Sequence, residues 1–140
     1  YASQDYVKRQ GLLTELSQIA KHRFISASAS MQQIPFLQWI TDNVPPQQIF
    51  YRANDVWAMN EGIRAGLGIG IMSCWAAADD QQSLIPQPLV NNNWGTDLWL
   101  VTHRDLHRTM RVQAFLNFFK DSIKQQEDLM IGDRAVSDGN

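Results

Sequence analysis

The stretch Asn54–Met72, NDVWAMNEGIRAGLGIGIM, decides the fold class. Asn54 reads as an N-cap, its side-chain oxygen free to accept from a backbone N–H that would otherwise lack a partner. Asp55 then places negative charge at the positive end of the helix dipole. Val56, Met59, Ile63 and Leu67 recur at helical spacing and mark a buried face. Gly66 supplies the left-handed stop. Ile69–Met72 follows as a short strand, apolar throughout as a strand covered on both faces should be. A capped helix, a glycine exit and a buried strand in that order form the repeating unit of a layered α/β fold.

Outward from this stretch the alternation continues. Asp5–Lys21 reads as two short helices with a turn at Gly11 and Thr14 as the second cap, and Arg23–Ala27 as a strand. Ser28–Asn43 carries an apolar stripe of Met31, Ile34, Leu37, Trp39 and Ile40, and Pro35 is tolerable only in the first turn of that helix. Pro45-Pro46 ends it, and Gln48–Arg52 is the next strand. Ser73 caps a short helix through Ala78, and Ser83–Asn93 is a turn-rich connection with an Asn91–Asn93 run. Leu98–Thr102 reads as a strand, and Asp105 as the cap of a final helix with Val112, Phe115, Leu116, Phe119 and Ile123 on one face. Past Glu127 the stripe stops, which predicts a flexible C-terminal tail over residues 127–140. Strands alternating with helices predict an α/β layer structure, largely parallel and covered on both faces.

Composition narrows the function classes. At 140 residues with 44% apolar and 19% charged residues, the chain fits one ordinary globular domain. A net charge of −2 with scattered Lys and Arg gives no basic footprint for nucleic acid. No apolar run reaches the ~18 to 20 residues of a membrane span. The N-terminus has neither a basic nor an apolar leader region and no initiator Met, as a truncated or processed chain would. The one cysteine, Cys74, precludes an internal disulfide and reads as a buried, inert thiol.

Chemistry is sparse. Gly66, Gly68 and Gly70 look like a phosphate loop, but they leave a helix and enter a strand, so they face the negative end of the dipole; helix stop and close packing explain them. His103 and His107 have helical metal-ligand spacing without the intervening Glu or a completing acid or Cys, so no metal and no cofactor is predicted. No nucleophile elbow or placeable triad is present, and the chain is read as not an enzyme. Core filling accounts for most of the five Trp; Trp57, in the first turn after Asn54, either walls a ligand cleft or packs in the core. The best physical case for binding is the helix N-terminus at Asn54, because open α/β sheets bind ligands beyond the carboxyl ends of their strands. Free amides there suit an anion, although Asp55 opposes strong negative charge. A plain capped helix is the alternative.

Taken together, Asn54–Met72 and Leu98–Phe119, with its Thr102-His-Arg-Asp-Leu106 turn, resemble the back half of a LysR-type effector-sensing domain. Tyr1–Tyr6 is similar to the segment after the first crossing between that domain's lobes, and Gly11–Ile25, with Glu15-Leu16 and His22, to the helix and strand that follow. The resemblance reaches about Ser122. It implies a periplasmic-binding-protein-like (type II) fold, truncated to most of lobe II over residues 1–102 plus the closing helix of lobe I over 103–126. It further implies a cytoplasmic, dimeric or tetrameric transcription regulator that binds a small effector, anionic ones included, between lobes. DNA would be contacted only through a helix-turn-helix domain outside this chain, and no membrane is involved. Carried over as effector contacts are Ser3, Ala53, Asn54, Asp55, Met72 and Ser73, joined by Trp57. Without the facing wall of the cleft, weak effector binding or none is expected, as is a final helix presenting Val112, Phe115 and Phe119 without a native partner. A fragment of a periplasmic solute-binding protein, which shares the fold, is the alternative, and an enzyme on the same scaffold is a further one.

Overall fold

Residues 1–31, 34–80, 82–89, 94–95 and 97–131 are described by the computed structural model, in which the chain divides into two compact units, Tyr1–Trp94 and Gly95–Asn140. In the first, β2 (Phe24–Ala27) and β3 (Ile49–Ala53) pair in parallel with Ala27 opposite Ala53. Ile69 adds a parallel bridge to Phe24: the Ile25 N–H donates to the Ile69 carbonyl and the Ile69 N–H to that of Arg23, both at 2.8 Å. The strand predicted over Ile69–Met72 is thus reduced to this bridge. Beyond it Gly70 turns to Tyr1, exchanging two backbone hydrogen bonds at 2.8 and 3.0 Å.

A second pair was not foreseen. β1 (Ala2–Ser3) runs antiparallel to β4 (Leu84–Ile85), inside the segment read as turn-rich. The sheet content is therefore mixed rather than largely parallel. The Asn91–Asn93 run lies outside the described residues, as does Gly132–Asn140 of the predicted tail.

α1 (Gln4–Gln10) is capped by Ser3, whose hydroxyl accepts the Tyr6 N–H at 3.2 Å, and stops at Gly11 with φ of 82°. The second helix predicted there is a 3-10 turn, Leu16–Lys21, and its cap is Glu15. Thr14 instead donates its hydroxyl to Gln18 Oε1, which also accepts the Thr14 and Glu15 N–H groups. α2 (Pro35–Asn43) begins at the proline, which keeps it in the first turn as its missing N–H requires, and a 3-10 turn over Ala29–Met31 precedes it. α3 (Val56–Arg64) starts one residue later than predicted. Asp55 rather than Asn54 caps it, Oδ1 accepting the Ala58 N–H at 2.8 Å. Ser73 occupies the N-cap position of α4 (Cys74–Ala77), but its side chain caps nothing.

Alternation along β2 divides the core. Phe24 joins Tyr6, Leu13, Ile19, Ile40, Val44 and Ile69 in one buried cluster, while Ile25 and Ala27 join Leu37, Met59, Ile63 and Met72 in another. Ile63 is fully buried, whereas Val56, predicted on the same face, is exposed. Each fully buried Leu or Ile contributes about 1.5–3 kcal/mol by leaving water. The glycine exit is required sterically. Gly66 has φ of 72°, and a Cβ on Gly68 would lie 2.6 Å from the Arg23 carbonyl oxygen.

Tryptophan does little of the core filling expected of it. Trp57, Trp75 and Trp99 are exposed, and Trp39 and Trp94, both half-buried, pack edge to face at 5.2 Å. Cys74, expected to be buried, is half-buried.

In the second unit the predicted strand Leu98–Thr102 forms no ladder; no described residue supplies the neighbouring strand its backbone needs. Leu98, Trp99, Leu100 and Val101 are all exposed. The final helix, α5 (Met110–Gln125), begins after Thr109 rather than at Asp105, which lies in a turn where its N–H donates to His103 Nδ1. Leu116 is buried, Val112, Phe119 and Ile123 are half-buried, and exposed Phe115 stacks on Phe119 at 6.1 Å. The segment expected as a tail starts with a short helix, α6 (Glu127–Ile131), whose first-turn acids complement its dipole.

Candidate effector site

Parallel β2 and β3 end side by side, and the Ser28 N–H donates to the Ala53 carbonyl at 2.7 Å. The chain leaves β3 through Asn54 and Asp55 directly into α3, so the first turn of that helix opens at the carboxyl ends of both strands. This edge is where an open α/β sheet presents unpaired amides and the positive end of a dipole.

The predicted contacts sort into three groups. Asn54, Asp55, Trp57 and Ser73 are exposed, and Trp57 keeps 73% of its surface in water, so it does not fill the core. Ala53 and Met72 are buried in one cluster with Met59 and Leu37, forming the apolar support beneath that edge. Ser3 stands apart. It is buried, its hydroxyl already caps α1, and a Cβ on Gly66 would lie 2.9 Å from its Oγ. Ser3 therefore adjoins the C-terminal end of α3, about 13 Å along that nine-residue helix from Asp55.

Two features escaped the sequence reading. Ser28 and Ser30, whose hydroxyls lie 2.9 Å apart, follow β2 beside Ala53, and only the parallel register brings them there. Tyr1 is the other. It packs against the cluster that holds Met72, and burial together with the adjacent Cys74 thiol raises its phenol above the usual range.

Arg64 ties the far end of α3 to the turn after α4. It donates to Asp80 Oδ2 at 2.6 Å, Glu61 Oε1 at 3.0 Å and the Ala76 carbonyl at 3.0 Å. His103 and His107 are exposed, and among the described residues no three His, Cys, Asp or Glu side chains stand together as a metal ion requires.

A cavity of about 460 Å³ lies elsewhere, at the amino ends of β2 and β3, lined by Tyr6, Arg9, Arg23, Phe50 and Gly66 among others. The edge presents the amino end of α3, whereas the cavity faces its carbonyl end.

Parallel strands delivering a capped helix to an exposed edge are the build of an α/β domain. Residues 1–124 match the LysR substrate binding domain, and the chain belongs to that family. Comparison with curated proteins and with solved structures gave no match. Membership carries a periplasmic-binding-protein-like α/β fold and an effector-sensing role that is regulatory rather than catalytic. No helix among the described residues is long and apolar enough to cross a membrane.

Proposed function

We propose that this chain is the effector-sensing part of a LysR-type transcriptional regulator, with the sheet edge at Ser28, Ala53, Asn54 and Asp55 as its half of the effector cleft. In this reading residues 1–102 form most of lobe II and residues 103–126 the closing helix of lobe I. Ser73, Met72 and Trp57 extend the contact surface. Ser3 supports the site by holding α1 in place, its hydroxyl being occupied. The observation that carries the proposal is the alignment of Ala27 with Ala53, which sets the exposed first turn of α3 beside the end of β2.

The ligand is a small molecule with a carboxylate or similar group at the α3 amides. Binding favours one arrangement of the lobes and of the dimer or tetramer, and DNA-binding domains outside this chain follow that arrangement. Regulators of this type work in the cytoplasm, so the effector is a metabolite available there.

Asp55 offers a direct test. Asparagine at this position can still cap the helix but carries no charge. In a titration with a panel of small organic acids followed by Trp57 fluorescence, Asp55→Asn should tighten binding about fourfold. That is the effect of removing one charge at about 5 Å in water-like surroundings, ~0.8 kcal/mol. Trp57→Phe should abolish the signal. Acids that bind with equal affinity to wild type and Asp55→Asn would place the effector elsewhere.

A further inference from the structure

The cavity at the amino ends of β2 and β3 has a composition of its own. Tyr6 from α1, Phe50 and Leu67 line it with aromatic and apolar surface, and the basic residues Arg9 and Arg23 line it as well. No carboxylate lines it, in a chain whose net charge is −2. Among the described residues neither arginine has an acidic partner.

Each arginine is positioned with donors to spare. Arg9 uses one Nη2 bond, at 3.1 Å, on the Gly66 carbonyl at the end of α3. Arg23 lies with its guanidinium carbon 4.6 Å from the centre of the Phe50 ring. Stacking of that kind occupies the face of a guanidinium and leaves its in-plane N–H groups available. Tyr6 is fixed as well: its hydroxyl accepts the backbone N–H of Arg23 at 2.8 Å and lies 3.4 Å from His22 Nδ1. A volume of about 460 Å³ is within the range of about 300–1,000 Å³ found for small-ligand pockets.

We infer that this cavity is a second binding site, for a small planar carboxylate with an aromatic or short apolar body. The carboxylate pairs with Arg9 and Arg23, and the body lies against Phe50 and Leu67. Guanidinium forks pair with carboxylate oxygens in bidentate fashion, and the exposed Phe50 gives the apolar part of an organic acid a surface that inorganic anions cannot use. The site is separate from the proposed effector edge. From Phe24 to Ala27 β2 advances on the order of 10 Å, with the cavity beside its amino end and the edge at its carboxyl end. The inference therefore does not depend on the effector reading.

The test is a titration of the ¹⁵N-labelled 140-residue chain with benzoate, and separately with inorganic phosphate, followed by amide and arginine Nε resonances. Saturable benzoate shifts at Arg23, Phe50 and Ala65–Leu67 are expected, with phosphate at least tenfold weaker. Arg9→Gln and Arg23→Gln, both at exposed side chains, should each weaken benzoate at least tenfold, and Arg52→Gln should not. Benzoate shifts at Asn54–Ala58 that persist in Arg23→Gln would report the effector edge independently. Shifts spread evenly over all arginines, phosphate as tight as benzoate, or no saturation at the cavity would each overturn the assignment.

Discussion

Tyr1–Trp94 and the segment from Gly95 to Ile131 have similar apolar patterns in sequence and opposite fates in structure. In the first, Phe24, Ile25, Leu37, Ile40, Met59 and Ile63 are almost wholly buried. In the second, Leu98, Trp99, Val101, Met110, Phe115 and Phe118 lie exposed. Phe24–Ala27 and Leu98–Thr102 are alike short, mainly apolar runs. What differs is a partner: β2 has β3, Ile69 and α3, while Leu98–Thr102 has no paired neighbour among the described residues. Periodicity states which face would be buried. A second surface decides whether it is.

This comparison is open to attack at several points, beginning with the largest expected effect. Ile63→Ala removes a fully buried side chain beneath α3 and should lower the unfolding free energy by about 2–5 kcal/mol in urea denaturation. Gly68→Ala forces a methyl against the Arg23 carbonyl and should cost about 2–3 kcal/mol, with protection from hydrogen exchange falling first at Ile25 and Ile69. Arg64→Ala severs α3 from Asp80 and Ala76. These bonds are partly exposed, so about 1 kcal/mol is expected from the same denaturation curves.

His22 sharpens the contrast through pH. Burial first, and Lys21 second, hold its pKa below the usual 6.5, so the folded state keeps it neutral beside Tyr6. As pH drops below about 6.5, the unfolded chain takes up this proton before the folded one does, and stability falls; above about 6.5 the term vanishes. Replacing His22 with Gln should flatten that part of a stability–pH profile.

At the small end, Trp99→Ser and Val101→Ser should change stability by less than about 0.5 kcal/mol while reducing binding of a hydrophobic dye. A loss as large as that of Ile63→Ala would show these side chains to be part of a folded core, and the contrast between the two regions would fail.

How much could be read beforehand follows from the range of each interaction. α3, its glycine exit and the proline start of α2 are set by residues within a turn of one another, and all three were legible, with the cap misplaced by a single residue because Asn54 and Asp55 are both competent acceptors. The β1–β4 pair joins residues more than eighty positions apart through two residues each, too few for a pattern. Leu98–Thr102 was misread for the converse reason, a clear pattern without a partner. Of the candidate site, Asn54, Asp55 and Trp57 were legible as the start of a helix after a strand. Ser28 and Ser30 were not, because only the register of β2 on β3 places them there, and the position of Ser3 depends on a close approach to Gly66 that no spacing reveals.

The most direct test of the central claim is an amide chemical-shift map of the chain titrated with a panel of small organic acids in the Arg9→Gln/Arg23→Gln background, which silences the second cavity. The account predicts saturable shifts centred on Ser28 and on Asn54–Ala58, diminishing toward Arg64. Saturable shifts centred elsewhere would contradict it.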